Sequence, residues 1–342
     1  MALEHGMGAS IYGVATAFGM LMLAMASGRL WRTAMPIWDL FGAAYGGAMR
    51  NCVTLLSLIW MAGVLAAQIQ GGVAIVTLTG LNEVTAYAAV LVAIYGASRL
   101  DLKRASTVFM VFLVASGLVL LYILVTGQGW AIYLESPTRF IADLPSFQPA
   151  ALLAIAIAVI ALVCTGGDYH QFVLAAKSTR DARLGCVLAS VILIALSFLP
   201  ASVVLGLNVN EYLAKFADRA QVIPYALMQG SMKLGAAAGP ILLTGVFAAA
   251  LGSGAAILRA MTNALGAATW RAPLASPSAA LALFAGGLLA ASGPGIVATM
   301  VSANVIYISS IAVVFLVLLS GRRMASWQAG TVMISGLLGA TS

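Results

Sequence analysis

The sequence predicts an all-α fold, a polytopic bundle of nine to ten membrane-spanning helices. Three observations lead to this prediction. Hydrophobic residues make up 62% of the 342 residues and charged residues 8%, whereas soluble domains carry about 25% charged residues. Apolar runs long enough to cross about 30 Å of hydrocarbon recur along the chain. The basic residues behind the net charge of +7 stand singly at the ends of these runs, which argues against a nucleic-acid partner.

The predicted spans follow one another with short connections. They lie at residues 8–25, 52–68, 84–97, 108–125, 152–163, 187–205, 241–258, 279–291, 296–319 and 329–340. No connection is long enough for a soluble domain, so residues 1–342 are predicted to form one membrane-embedded domain. The two longest connections are 127–146 and 208–233. The second carries Asn210, Glu211 and Asp218, and it is either a lid over an outer vestibule or a solvated connector.

Lys and Arg residues predict the orientation, because they mark the cytoplasmic ends of membrane helices. With the N-terminus outside, 13 of the 17 basic residues fall on one side of the alternating topology. This cytoplasmic set is Arg29, Arg32, Arg50, Arg99, Lys103, Arg104, Lys177, Arg180, Arg183, Arg259, Arg271, Arg322 and Arg323, and the outer set is Arg139, Lys215, Arg219 and Lys233. The asymmetry predicts a multi-pass protein with the N-terminus outside.

Neither the cysteines nor any catalytic motif indicates an enzyme. Cys52, Cys164 and Cys186 are odd in number and far apart, which supports neither a disulfide framework nor a zinc site. The sequence contains no GxSxG, HExxH, Walker or paired-carboxylate pattern. We therefore predict that the chain has no catalytic residues and no bound cofactor.

An apolar helix is interrupted at Gly166 and Gly167. Hydrocarbon tolerates such a break only where protein or water satisfies the freed backbone groups. Interrupted membrane helices near polar residues point to transport sites. Asp168 and His170 follow the break, where they are either substrate contacts or a proton relay, or polar groups at the cytoplasmic headgroup level beside Lys177.

The residues after the break, Gln171 to Ser178 (QFVLAAKS), followed by Ala182, Arg183 and Gly185, resemble the sodium:solute symporter family. Four further stretches are similar to core helices of that family in the same order. They are Gly19 to Thr33, which leads into an amphipathic segment at Met35 to Tyr45, Ala66 to Gly72, Phe247 to Leu258 and Leu316 to Gly330.

The resemblance implies the leucine-transporter type of fold, an inverted repeat of five plus five helices. Residues 1–127 would be the remainder of the first repeat, 148–323 the second repeat and 324–342 the start of an extra helix. No segment is left for the first core helix, so the repeat is expected to be incomplete. The resemblance further implies sodium-coupled symport of a small organic solute across the inner membrane of a bacterium.

Carried onto this chain, the family's sodium ligands fall on the Ala249 carbonyl, Gly252 and the Ser253 hydroxyl, with no other metal implied. A hard cation such as sodium prefers oxygen ligands. Gly252 offers no side-chain oxygen, and the alternative is that Gly252, Ser253 and Gly254 let two helices pack closely. Arg104 to Val108 (RASTV) replaces the family's Thr-Asp pattern, which argues against a second cation site.

Three functional hypotheses follow. The chain is a transporter whose partners are the lipid bilayer and a small organic solute. Alternatively, it is a non-transporting membrane module, sensory or structural, that works with a partner membrane protein. It is otherwise a fragment of a longer symporter, in which the missing first helix is encoded elsewhere.

Overall fold

The all-α prediction is confirmed. The computed structural model describes residues 2–100, 102–127, 129–207, 221–267, 278–292 and 296–341. It is 91% helical, and none of the described residues forms a strand. In chain order the helices are α1 (Ala2–His5), α2 (Ile11–Thr33), α3 (Ile37–Tyr45), α4 (Gly47–Val76), α5 (Glu83–Arg99), α6 (Leu102–Thr126), α7 (Gly129–Leu134), α8 (Ser136–Asp143), α9 (Pro149–Thr165), α10 (Gly167–Leu174), α11 (Thr179–Ser197), α12 (Leu199–Gly206), α13 (Val222–Ser231), α14 (Ala238–Ala267), α15 (Ser278–Ser292), α16 (Ile296–Leu319) and α17 (Ser326–Thr341).

Every predicted apolar run lies in helical structure, but the helices differ in length. Within the described residues, 4 helices are long and apolar enough to cross a membrane: Gly6–Thr33, Gly47–Thr79, Thr179–Gly206 and Ala238–Gly266. The bent pair of α9 and α10 makes a fifth if it is one span. Shorter apolar helices occur at Met110–Thr126, Ser278–Ser292 and Ala303–Leu319. These four to five candidates in the described residues are consistent with a helical membrane bundle, and the count of nine to ten spans stays a prediction.

The two longest predicted connections differ from simple loops. Residues 127–146 contain α7 and α8, and a short 3-10 helix follows at Leu144–Ser146. In the other connection, α13 begins at Val222. Asn210, Glu211 and Asp218 lie outside the described residues, so the hypothesis of a lid stays a prediction.

The chain forms two compact units that alternate along the sequence. Unit 1 consists of Met1–Gly13, Ala67–Leu153 and Ala195–Ala255, and unit 2 of Val14–Ala66, Ala154–Ile194 and Ala256–Ser342. The inverted repeat, with its divisions at residues 127, 148 and 323, stays a prediction.

The core of unit 1 is built where α6 meets α12 and the start of α14. Val119 and Ile123 of α6 pack in one buried cluster with Val203 and Leu242. The Ser116 hydroxyl donates to the Leu242 carbonyl oxygen at 3.2 Å. This bond satisfies a polar side chain that would otherwise be stranded among apolar groups.

The core of unit 2 is built around α2, which packs against the segment from α9 to α11. Leu23 and Leu30 of α2 share a buried cluster with Val163, Val173 and others from that segment. Two hydrogen bonds stabilise this contact between α2 and the segment from α9 to α11. The Ser190 hydroxyl donates to the Ala17 carbonyl oxygen at 2.8 Å, and the Trp31 indole N–H donates to the Ala176 carbonyl oxygen at 2.8 Å.

Gly19 sets how closely α2 approaches α9. A Cβ atom at Gly19 would lie 2.7 Å from the Cβ of Val163, so we expect Gly19→Ala to lower the free energy of unfolding by about 1–3 kcal/mol through overpacking. Gly28, on the same helix, has nothing within 4 Å of that position. We expect Gly28→Ala to raise stability by up to about 1 kcal/mol, because alanine favours a helix. Unfolding of both variants in detergent tests this prediction, and equal changes would contradict it.

Candidate functional site

The break between α9 and α10 is the most distinctive feature of unit 2. The two helices meet at an angle of 42°. Gly166 joins them with an extended backbone, φ −66° and ψ 124°. Because ψ leaves the helical range there, the last carbonyls of α9 need partners from outside the helical ladder.

Two buried side chains supply those partners. The Nε2 atom of His170 lies 2.8 Å from the Cys164 carbonyl oxygen, and the Tyr307 hydroxyl donates to the Thr165 carbonyl oxygen at 2.8 Å. His170 is 1% exposed and Tyr307 is 0% exposed. A carbonyl can only accept, so Nε2 of His170 is the donor, and a neutral imidazole then carries a lone pair at Nδ1.

Aromatic rings surround the break on several sides. The ring of Tyr307 stacks on Trp60 of α4 with centroids 5.1 Å apart, and His170 stacks on Phe315 of α16 at 5.2 Å. Trp38 of α3 comes within 3.7 Å of the position a Cβ of Gly167 would take. The polar groups at the break are therefore shielded by residues of three helices in unit 2, α3, α4 and α16.

Several buried polar atoms of unit 2 have no hydrogen-bond partner among the described residues. Four of them are Nδ1 of His170, Nε1 of Trp60, Nε1 of Trp38 and Oδ1 of Asn304, and each of these four side chains is at most 6% exposed. An unsatisfied buried polar group costs about 1–3 kcal/mol. Such groups are rare in native proteins, and each calls for an explanation such as an ordered water molecule or a bound ligand.

Asn304 and Tyr307 lie one turn apart on α16, so they share one face of that helix. Both are buried. Tyr307 reaches the break directly through its hydrogen bond to the Thr165 carbonyl oxygen. Unit 2 thus offers both donors and acceptors in a protected, partly aromatic surrounding. A small polar molecule, or a few water molecules, could satisfy them.

The structure brings together the four residues predicted at the break. Gly166 and Gly167 form the junction, and Asp168 is half-buried. Its Oδ1 accepts from the Tyr169 backbone N–H at 2.8 Å, which satisfies one of the free N–H groups in the first turn of α10. His170 is buried against the Cys164 carbonyl. Whether Asp168 and His170 lie at the headgroup level or deeper stays a prediction.

The residues predicted for sodium lie in unit 1, on α14. Ala249 and Ser253 are exposed and Gly252 is half-buried. The neighbouring Gly254 is buried, and a Cβ there would lie 3.1 Å from Cδ1 of Ile94. This approach agrees with the close-packing alternative for Gly254. The sodium ligand set stays a prediction.

Sequence reasoning missed Trp60, Asn304 and Tyr307. A usable signal was present, because Asn304 and Tyr307 stand three residues apart in a mostly apolar run. A polar residue inside a membrane helix is by default a candidate functional residue. Trp60 carries no such signal, because tryptophan is common in apolar cores.

Together these features define a helical membrane protein with a broken helix and a buried polar centre. No family model matches the chain. No curated protein matches it either.

Proposed function

We propose that this protein is a secondary transporter that couples the uptake of a small organic solute to a cation, with sodium as the coupling ion. The observation that carries the proposal is the bent pair α9–α10, whose break is enclosed by buried polar side chains. In secondary transporters, discontinuous helices form substrate and ion sites near the middle of the bilayer. Burying a polar residue within the membrane is energetically unfavourable, so such a residue is by default a candidate for a functional role.

The chemistry of the break favours a solute with both polar and apolar parts. Nδ1 of His170 and Oδ1 of Asn304 are acceptors, whereas the indole N–H of Trp60 is a donor. The faces of Trp60 and Tyr307 offer apolar contact area. A solute that bonded to these groups would remove the cost of leaving them unpaired.

The cation part of the proposal rests on the resemblance of residues 247–258 to the sodium-binding helix of the sodium:solute symporters. The Ala249 carbonyl, the Gly252 backbone and the Ser253 hydroxyl are the proposed ligands, since sodium prefers oxygen. The proposed setting is the inner membrane of a bacterium with the N-terminus outside, as the Lys and Arg distribution predicts.

Uptake into proteoliposomes tests the proposal. Labelled amino acids, carboxylates and sugars would be offered under an inward sodium or potassium gradient, and we expect at least one solute to enter faster with sodium. We expect Ser253→Ala to raise the sodium concentration for half-maximal uptake about tenfold, the factor that corresponds to about 1.4 kcal/mol of lost binding free energy.

Thr244→Val is the matched control, because Thr244 also carries an exposed hydroxyl on α14. That hydroxyl donates to the Pro240 carbonyl oxygen of its own helix at 2.7 Å. We expect the control to leave the sodium dependence unchanged. Equal uptake with sodium and potassium, unaffected by Ser253→Ala, would contradict the sodium assignment.

The second candidate function is a non-transporting membrane module with a partner membrane protein. One observation favours it: the Cys164 and Thr165 carbonyls at the break are already bonded by His170 and Tyr307. A helix break whose free backbone groups are hydrogen-bonded by the protein itself can have a purely structural role. No uptake of any offered solute by a folded, reconstituted protein would favour this second function over transport.

A further inference from the structure

A basic pocket lies in unit 2 between α3 and the turn that joins α16 to α17. Its volume is about 230 Å³, well above the roughly 10–15 Å³ that one water molecule needs. One wall is apolar and the other is basic. The lining includes Leu40 and Ala43 of α3, Leu318 of α16, and Gly321, Arg322 and Arg323 of the turn.

The end of α16 holds the basic wall in place. Gly321 has φ +80°, a left-handed conformation that favours glycine. The Gly321 N–H donates to the Leu318 carbonyl oxygen at 3.0 Å, and the Arg322 N–H donates to the Val317 carbonyl oxygen at 3.2 Å. This pair of bonds is the Schellman ending of a helix. The guanidinium of Arg29 donates to the neighbouring Leu319 carbonyl, so the point where Arg322 leaves the helix is well defined.

The charges of the two arginines of the pocket have no acidic partner among the described residues. Arg322 and Arg323 are exposed, and neither forms an ion pair with any residue that the structure describes. The acidic residue of α3, Asp39, is already paired with Arg50, with an N–O distance of 2.6 Å. Two adjacent guanidinium groups without an acid suit a phosphate, which arginine binds through paired hydrogen bonds.

The surroundings of the pocket match the membrane–water interface. The pocket lies where the apolar helix α16 ends, and Trp327, shortly after the arginines, is 71% exposed. Tryptophan and basic residues concentrate at the level of the lipid headgroups. The neighbouring helix α3 buries Ile37, Trp38 and Phe41, while its Leu40 and Ala43 face the pocket.

We propose that this pocket binds the phosphate of an anionic phospholipid, with Arg322 and Arg323 on the phosphate and Leu40, Ala43 and Leu318 against the glycerol and the first acyl carbons. Basic pockets beside the cytoplasmic ends of membrane helices bind anionic headgroups. The apolar wall selects a lipid over free phosphate, because an inorganic ion would gain nothing from it. The proposal goes beyond transport and holds for a transporter and a non-transporting module alike.

Native mass spectrometry of the detergent-solubilised full chain tests the proposal, with phosphatidylglycerol and phosphatidylcholine as probes. We expect a phosphatidylglycerol adduct that is much stronger than the phosphatidylcholine adduct. In the double variant Arg322→Gln/Arg323→Gln, the apparent affinity for phosphatidylglycerol is expected to fall about thirtyfold. The double variant Arg32→Gln/Arg99→Gln is the matched control. It removes the same charge on the same predicted side of the membrane, but Arg32 and Arg99 do not line the pocket. We therefore expect its affinity for phosphatidylglycerol to be near that of the wild type.

Two further measurements test whether the lipid occupies the pocket itself and whether the site prefers a lipid over a free anion. Ala43→Trp keeps both arginines but fills the pocket, and we expect it to weaken phosphatidylglycerol binding as well. Inorganic phosphate at millimolar concentration is expected neither to bind nor to displace the lipid. Unchanged lipid affinity in the pocket variants would overturn the proposal, as would equal weakening in the control. Displacement of the lipid by inorganic phosphate would instead identify a general anion site and overturn the assignment to a lipid.

Discussion

Gly336→Val is expected to have the largest effect on stability of any single substitution considered for this protein. Gly336 of α17 lies directly against the backbone of Ser309 on α16, and an added Cβ would overlap the Ser309 carbonyl. Backbone cannot rotate away as a flexible side chain can. We therefore expect α17 to be displaced from α16 and the free energy of unfolding to fall by about 3 kcal/mol or more.

Gly339→Val is the matched control, because Gly339 lies on the same helix with open space around its Cβ position. We expect it to change the stability by less than about 1 kcal/mol. Thermal unfolding of both variants in the same detergent gives the comparison. If the two variants unfold at the same temperature, the close approach of α16 and α17 at Gly336 is wrong.

Tyr307→Phe is expected to have the second largest effect on stability. The substitution removes one hydroxyl and leaves the aromatic ring in place. The Thr165 carbonyl would then lose its donor in a fully buried place, at a cost of about 1–3 kcal/mol. If the break is part of a transport site, uptake should be lost as well. A variant with wild-type stability would contradict the hydrogen bond to Thr165.

Tyr45→Phe is the matched control, because it also removes a buried tyrosine hydroxyl but breaks no hydrogen bond that the structure describes. The Tyr45 hydroxyl is buried without a hydrogen-bond partner among the described residues. Removing it leaves no other group unsatisfied, so we expect Tyr45→Phe to be neutral or slightly stabilising. Chemical unfolding monitored by tryptophan fluorescence would measure both tyrosine variants, and a larger loss for Tyr45→Phe would reverse this interpretation.

The sequence was sufficient for the class of fold and for the place of the break. An apolar composition with few charges predicts helices, because hydrocarbon requires each segment to satisfy its own backbone. Gly166 and Gly167 marked the junction of α9 and α10, since paired glycines next to polar residues rarely continue a membrane helix. Met35 to Tyr45 was recognised as amphipathic, and α3 occupies residues 37–45 of it.

The sequence was not sufficient to predict which side chains contact the break between α9 and α10. His170 follows the paired glycines in the sequence, but nothing in the sequence predicts that its ring stacks on Phe315 of α16. Tyr307, which satisfies Thr165, stands 142 residues away along the chain. Only the packing of α16 against the broken helix brings the two together.

The sequence by itself therefore determined an all-α membrane protein with an interrupted helix, because hydropathy and glycine act locally. The tertiary structure decided which face of each helix is buried, and hence which side chains form the polar centre and the basic pocket. The physical reason is that lipid and protein interior are equally apolar. A helix that is hydrophobic all round does not reveal from its sequence which side meets another helix.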